Sequence, residues 1–178
     1  MIRLVPRSLI GRLLALVAIL IVLFLAATAR LFIWPQTDAP ARVDAIVALD
    51  GYPSRTGKAL SLARAGYAPN VLLSVVTYKS PACRQKIPGV RIVCFMPNPV
   101  DTRGEAEFVS RFADERGWTS LIVVSSVPQT TRARIIVGRC FAGRILMVPV
   151  PVPTSRLPWA IAYEWGAFTK ALLFERHC

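Results

Sequence analysis

The sequence predicts an α/β protein: an open, Rossmann-like parallel sheet of about five strands, with helices on both faces, behind one N-terminal transmembrane helix. Three observations carry this. Short, continuous apolar runs alternate with segments of helical period, the pattern of a parallel sheet buried on both faces. An uncharged apolar stretch of membrane-spanning length opens the chain. The 178 residues, 54% of them hydrophobic, suffice for one domain of ordinary size and exclude a disordered chain.

Residues 13–29 carry no charge, and the apolar run extends to Trp34 with Arg30 alone interrupting it. A helix over residues 13–34 rises ~33 Å, enough for a ~30 Å hydrocarbon core. Arg3, Arg7 and Arg12 precede it without an acid among them, so the N-terminus stays cytoplasmic and the rest of the chain lies outside. Trp34 and Pro35 suit the far interface, where Arg30 snorkels. A cleaved signal peptide is the competing reading, because Ala27-Thr28-Ala29 has the small-x-small form of a cleavage site. Apolar character resuming at Leu31-Phe32-Ile33-Trp34 argues for the anchor. Residues 1–12 then form a basic terminus, 35–42 a polar linker with proline, and 43–178 the α/β domain.

Within that domain, strands are expected over 45–49, 71–76, 90–95, 121–124 and 145–148. Residues 56–65 read as a helix stopped by Gly66. Residues 79–89 form a loop with two prolines and no helical period. Thr102 and Glu105 read as a capping box. The helix they open presents Phe108, Val109, Phe112 and Ala113 on one face and stops at Gly117, so Glu105 leans toward the sheet. Residues 130–141 form the next helix, with Ala133, Ile136, Val137 and Cys140 inward. The Pro-Val-Pro-Val-Pro run at 149–153 reads as extended surface chain, and 159–174 as a final amphipathic helix.

The formal charge of +12 raises nucleic acid as a partner. Arg3, Arg7, Arg12 and Arg30 flank the apolar run, however, and the other 18 basic residues are spread from Arg42 to Arg176 with no clustered run and no interleaved aromatics, so nucleic-acid binding is not expected. Attraction to anionic headgroups or a solvated basic surface accounts for them better. A single histidine, His177, excludes a multi-histidine metal site. Cys83, Cys94, Cys140 and Cys178 show no C-x-x-C spacing, so neither a zinc ribbon nor a thioredoxin motif is present. No metal is expected, and the residues name no cofactor. Outside the cytoplasm a Cys83–Cys94 bridge is open to the chain, as are idle thiols.

In open α/β sheets ligands bind beyond the carboxyl ends of the strands. Asp50, Gly51 and Arg55 follow the first strand; Thr102 and Glu105 follow the third; Ser125, Ser126, Gln129 and Arg132 follow the fourth. Free amides at helix starts near Thr102 and Thr130, with two arginines, suit an anionic group such as phosphate. Asp50, Glu105 and Glu164 are the candidate acid/base groups. Glu164 stands among Ala160, Ile161, Ala167 and Phe168, so it is either ion-paired with an arginine or an acid of raised pKa in a cleft.

The strand ending in Asp50-Gly51, the Thr102-x-x-Glu105 helix start, the Val124-Ser125-Ser126 segment before Arg132-Ala133, the N-terminal anchor and Glu164 occur together. In these the chain resembles the YdcF/SanA/ElyC-like proteins of bacterial envelopes, over roughly residues 43–171. The resemblance implies a Rossmann-like domain on one transmembrane helix, in envelope integrity and cell-wall or lipid-carrier metabolism. It departs at Pro128 and Gln129, where that family carries an aromatic and a histidine, and at Ser74-Val75-Val76, where it carries Ser-Gly-Gly. Glutamine hydrogen bonds but does not shuttle a proton near neutral pH. Three functions follow as expectations: a module binding an anionic, phosphate-containing ligand, an enzyme acting on a lipid-linked precursor, and a scaffold with a vestigial cleft.

Overall fold

The computed structural model describes residues 7–178; Arg3 and the side chain of Arg7, part of the expected basic terminus, lie outside the described residues. Five strands, β1 (Ala45–Ala48), β2 (Asn70–Ser74), β3 (Arg91–Phe95), β4 (Ser120–Val124) and β5 (Arg144–Met147), form one sheet in the order β3-β2-β1-β4-β5. Every pair is parallel. The order reverses between β1 and β4, so the topological switch point lies there.

The central strand explains its own composition. All four residues of β1 are buried because both faces of the sheet are covered. Alternation along the strands sends Ile46, Ala48, Val71, Leu73, Ile122 and Val124 to one core, where Ala59, Leu60, Leu62 and Ala63 of α2 (Pro53–Arg64) meet them. Ala45, Val47, Leu72, Leu121 and Val123 face the other core. There they meet Ala106, Val109 and Ala113 of α3 (Thr102–Asp114) and Ala133, Ile136 and Val137 of α4 (Thr130–Cys140). The last helix, α5 (Leu157–Leu173), lies beside α4. Pro53 at the start of α2 moves its beginning three residues ahead of the expected one, its fixed φ suiting the first turn.

The connection from β2 to β3 holds a short 3-10 turn, Pro81–Arg84, in place of a crossover α-helix. Ala82, Cys83 and Ile87 cover the sheet in its stead, and a disulfide joins Cys83 to Cys94 of β3. A second disulfide ties Cys140 to Cys178. The proline-rich 149–153 run departs from the expected surface chain. Val150, between two prolines, keeps its amide, donates to Ser125 O at 2.8 Å and is buried. It extends the β4–β5 pairing through a parallel bridge to Ser126.

The chain enters through α1 (Arg7–Thr28) and a π-helical turn, Ala29–Ile33. Residues 10–26 are exposed, and the helix is long and apolar enough to cross a membrane. Its end is docked rather than dangling. Phe32 is fully buried, edge-on to Trp165 and Phe168 of α5. Phe24 stacks on Trp165, whose Nε1 donates to Thr28 Oγ1 at 3.1 Å. Thr131 Oγ1 donates to Leu31 O at 2.7 Å. The segment expected as a linker is pinned too: Asp38 accepts from Met147 N at 2.8 Å and Arg134 Nη2 at 2.6 Å.

Candidate functional site

A cleft of about 410 Å³ opens at the carboxyl ends of β1, β3 and β4, over the switch point. Asp50, Arg55, Thr102, Glu105, Ser126, Gln129, Arg132 and Glu164 line it, together with Tyr52, Pro97, Val100, Asp101, Pro128, Trp159, Ala160 and Tyr163. Of the residues singled out from sequence, Ser125 and Gly51 do not line it. Ser125 is fully buried, its hydroxyl against Thr130 Oγ1 at 3.2 Å, and it holds the β4–α4 turn. Gly51 borders a second groove of about 520 Å³ on the far side of Asp50.

The capping box expected at Thr102 and Glu105 is not formed. Asp101, in extended conformation one residue earlier, caps α3 by accepting from Gly104 N at 2.9 Å. Thr102 becomes the first helical residue, and Glu105 falls one position too far along to reach back. Both side chains are thereby freed for the cleft. Thr102 Oγ1 accepts from Gln129 Nε2 and Arg132 Nη1, each at 3.1 Å. Glu105 Oε1 accepts from Asp50 N at 2.6 Å.

The Thr130 amide, expected free at the start of α4, is bonded, as are the amides just before it. A 3-10 turn, Val127–Gln129, precedes that helix. Gln129 N donates to Ser126 O, Thr130 N to Val127 O, and Val127 N to Val150 O, while Pro128 has no amide hydrogen. On the α4 side of the cleft, anion binding therefore falls to side chains.

The two arginines are held differently. Arg132 makes a two-pronged ion pair with Glu164, Nε to Oε2 at 2.7 Å and Nη2 to Oε1 at 2.9 Å, with both side chains buried. Glu164 thus takes the ion-pair alternative. Burial works against the Arg132 charge, but Glu164 outweighs it and the pKa rises. Arg55 is also buried, at 6% exposure. Its Nη1 donates to Asp50 O and its Nη2 to Ser126 Oγ at 3.0 Å, while Nε has no partner. Among the described residues no carboxylate stands within ion-pairing distance of it. Burial lowers its pKa, opposed by the more distant charges of Glu105, Glu164 and Asp50.

Glu105 is 3% exposed, so the inward lean read from its helical face holds. Burial raises its pKa to about 7. The Asp50 amide, the Ser74 hydroxyl and the Arg55 charge act against that rise, and the Asp50 carboxylate adds to it. Ser74 acts by proximity, since its hydroxyl makes no hydrogen bond of good geometry. Asp50 is exposed at the mouth. Gln129 keeps a buried, unpartnered Oε1. Among the described residues no His/Cys/Asp/Glu cluster has the makings of a metal site.

Sequence reasoning missed Trp159, Tyr163 and Tyr52. Trp159 and Tyr163 are one helical turn apart and each immediately precedes an inward residue, Ala160 and Glu164, a spacing that places them at the cleft rim. Fold and site define a parallel, Rossmann-like α/β domain with a mixed-charge cleft at its switch point, behind one apolar N-terminal helix. Compared with known proteins, the chain matches no family model, no curated protein and no solved structure.

Proposed function

We propose that this is a membrane-anchored domain of the YdcF/SanA/ElyC-like kind, outside the cytoplasm, that binds an anionic, phosphate-containing ligand in envelope or lipid-carrier metabolism. One observation carries the ligand class. Arg55 is a buried cation at the cleft with an unsatisfied Nε and, among the described residues, no carboxylate partner. An uncompensated buried charge is costly, and a bound anion is the group that compensates it. Ser126 and Thr102 add hydroxyls, and the Arg132–Glu164 pair holds Thr102 in place. Arg132 thus passes from the expected phosphate contact to a positioning residue.

The compartment rests on two supports. Arg3, Arg7 and Arg12 precede the apolar helix, and both cysteine pairs stand as disulfides. The docking of Phe24 and Thr28 on Trp165 favours an uncleaved anchor, since cutting after Ala29 discards both contacts.

A second reading, catalysis on a lipid-linked precursor, is favoured by Glu105, whose pKa near 7 suits general acid/base work. Calorimetry with inorganic phosphate on the full chain in detergent tests the first. Arg55→Gln is expected to weaken binding roughly 10- to 150-fold, the worth of a charge-assisted contact. Unchanged binding in a folded Arg55→Gln protein removes this site and leaves the scaffold reading ahead.

A further inference from the structure

We infer that the cleft opens onto the lipid bilayer, with an apolar collar around its mouth seated in the membrane interface, so that its anionic ligand is a phosphate headgroup presented from the membrane. This rests on the reading of α1 as a membrane anchor, and it adds the direction in which the site faces.

α1 joins the domain at the edge where the cleft opens. Its terminal π turn packs against the 3-10 turn Val127–Gln129 and accepts from Thr131, at the carboxyl end of β4. That is the edge of the sheet where the cleft lies. From Trp34 the chain then runs back past Asp38, bonded to Met147 at the end of β5, to Asp44 at the opposite edge, bonded to Ser120 at the start of β4. The apolar helix therefore leaves the domain from the cleft edge. The contacts of Phe24, Thr28, Leu31 and Phe32 fix its direction, so the domain does not swivel on a loose tether.

The span Ile10–Ile33 has 24 residues. Over its last ten residues, Phe24, Thr28 and Phe32 contact α5. The free part is then roughly 14 residues, about 21 Å of helix, short of a ~30 Å core. A span of full length therefore includes the turns that contact α5, which brings the edge of the domain around them to the interface.

That edge is built for lipid. Val76 and Tyr78 follow β2, Met96 and Val100 follow β3, and Trp159 and Tyr163 occupy the first turns of α5. All six are large, apolar or aromatic, and between 46% and 76% exposed. Three of them, Val100, Trp159 and Tyr163, also line the cleft. Tryptophan and tyrosine favour the headgroup level, with an apolar body and a polar tip. Lys79 and Arg156, both exposed, stand next to this collar in sequence and suit lipid phosphates.

The test uses the full chain in vesicles of phosphatidylcholine and phosphatidylglycerol. All four native cysteines are in disulfides, so Tyr78→Cys, Val100→Cys, Trp159→Cys and Asp114→Cys each add one thiol for a nitroxide. Asp114, exposed at the far end of α3, is the control. Alkaline extraction comes first: release from the vesicles sinks the anchor and this inference with it. With the protein retained, collisions with oxygen, which partitions into lipid, are expected to exceed those with a water-borne nickel chelate at 78, 100 and 159, and the reverse at 114. Water-like values at all four positions overturn the membrane-facing cleft while leaving the anchor and the phosphate site standing. Protection from both reagents places a second copy on the collar and overturns it equally.

Discussion

The Arg132 guanidinium and the Glu164 carboxylate meet through two near-parallel hydrogen bonds, 2.7 and 2.9 Å, between α4 and α5 beneath the cleft. Among the described residues each group is the other's ion-pairing partner, and Arg132 also donates to Thr102. Arg132→Ala leaves Glu164 stranded and is expected to cost about 3–5 kcal/mol. Replacing both partners, Arg132→Met with Glu164→Leu, should recover most of that loss, because packed apolar groups of similar volume avoid the desolvation. Thermal unfolding of the single and double variants checks it; equal losses in both would show that the pairing itself contributes the stability.

Gly51 sets the position of the other arginine. Its φ is +136°, and a Cβ there would lie 2.8 Å from Arg55 Nη1 and 2.9 Å from Cζ. Gly51→Ala is therefore expected to cost about 1–3 kcal/mol in backbone strain and to push the guanidinium off Asp50 O and Ser126 Oγ. Phosphate affinity should fall by a factor comparable to that of Arg55→Gln, measured by the same calorimetry. Wild-type affinity in Gly51→Ala would show that the loop does not hold Arg55 in its binding position.

The parts of this fold that were legible in sequence are those that one period determines. β1 reads as Ala-Ile-Val-Ala because helices bury both its faces, and α3 reads from its Phe108–Val109–Phe112 face. Two adjacent residues offer a cap at the start of α3. Asp101 and Thr102 are both good N-caps, and only the chain path from Pro99 decides between them. The buried state of Arg55 was legible yet unread: it continues the Ala59, Leu62 stripe of α2, the face turned to the sheet. The Arg132–Glu164 pairing was not, since nothing local specifies which arginine a distant glutamate meets. The docking of α1 was hidden for the same reason, because a membrane span and a packed helix share one composition.

The disulfides carry a stability prediction. Cys83–Cys94 closes the connection that replaces a crossover helix, and Cys140–Cys178 pins the chain after α5 to α4. Sequence separations of 11 and 38 give roughly 3 and 4 kcal/mol in the chain-entropy account. Mass mapping without reduction should recover both linked peptide pairs. Reduction should lower the melting temperature, and Cys140→Ser with Cys178→Ser should lower it without changing phosphate binding, because that bridge lies at the end of α4 far from the cleft. Free thiols at all four positions in protein from the native compartment would argue for a cytoplasmic domain.

Glu105 makes the cleft pH-dependent, with a sign that follows from its burial. Its pKa in the folded protein is about 7, raised from 4.5 mainly by burial. Between these values the folded state holds a proton that the unfolded state has released, so stability falls as pH rises through that window and levels off above it. The full difference is about 3 kcal/mol at ~1.36 kcal/mol per pKa unit. Glu105→Gln keeps an oxygen to accept the Asp50 amide but cannot ionise. The variant's unfolding free energy should therefore lack this decline, and its advantage over wild type should grow from pH 5 to pH 7.5. Ligand binding should follow the same titration. Sulfate, whose charge is constant over this range, is expected to bind wild type more weakly above pH 7, where Glu105 becomes a second anion beside Arg55, and to bind Glu105→Gln with no such loss. Parallel stability curves for the two proteins would mean that Glu105 ionises at the ordinary carboxylate pH, and the acid/base reading of the cleft would go with it.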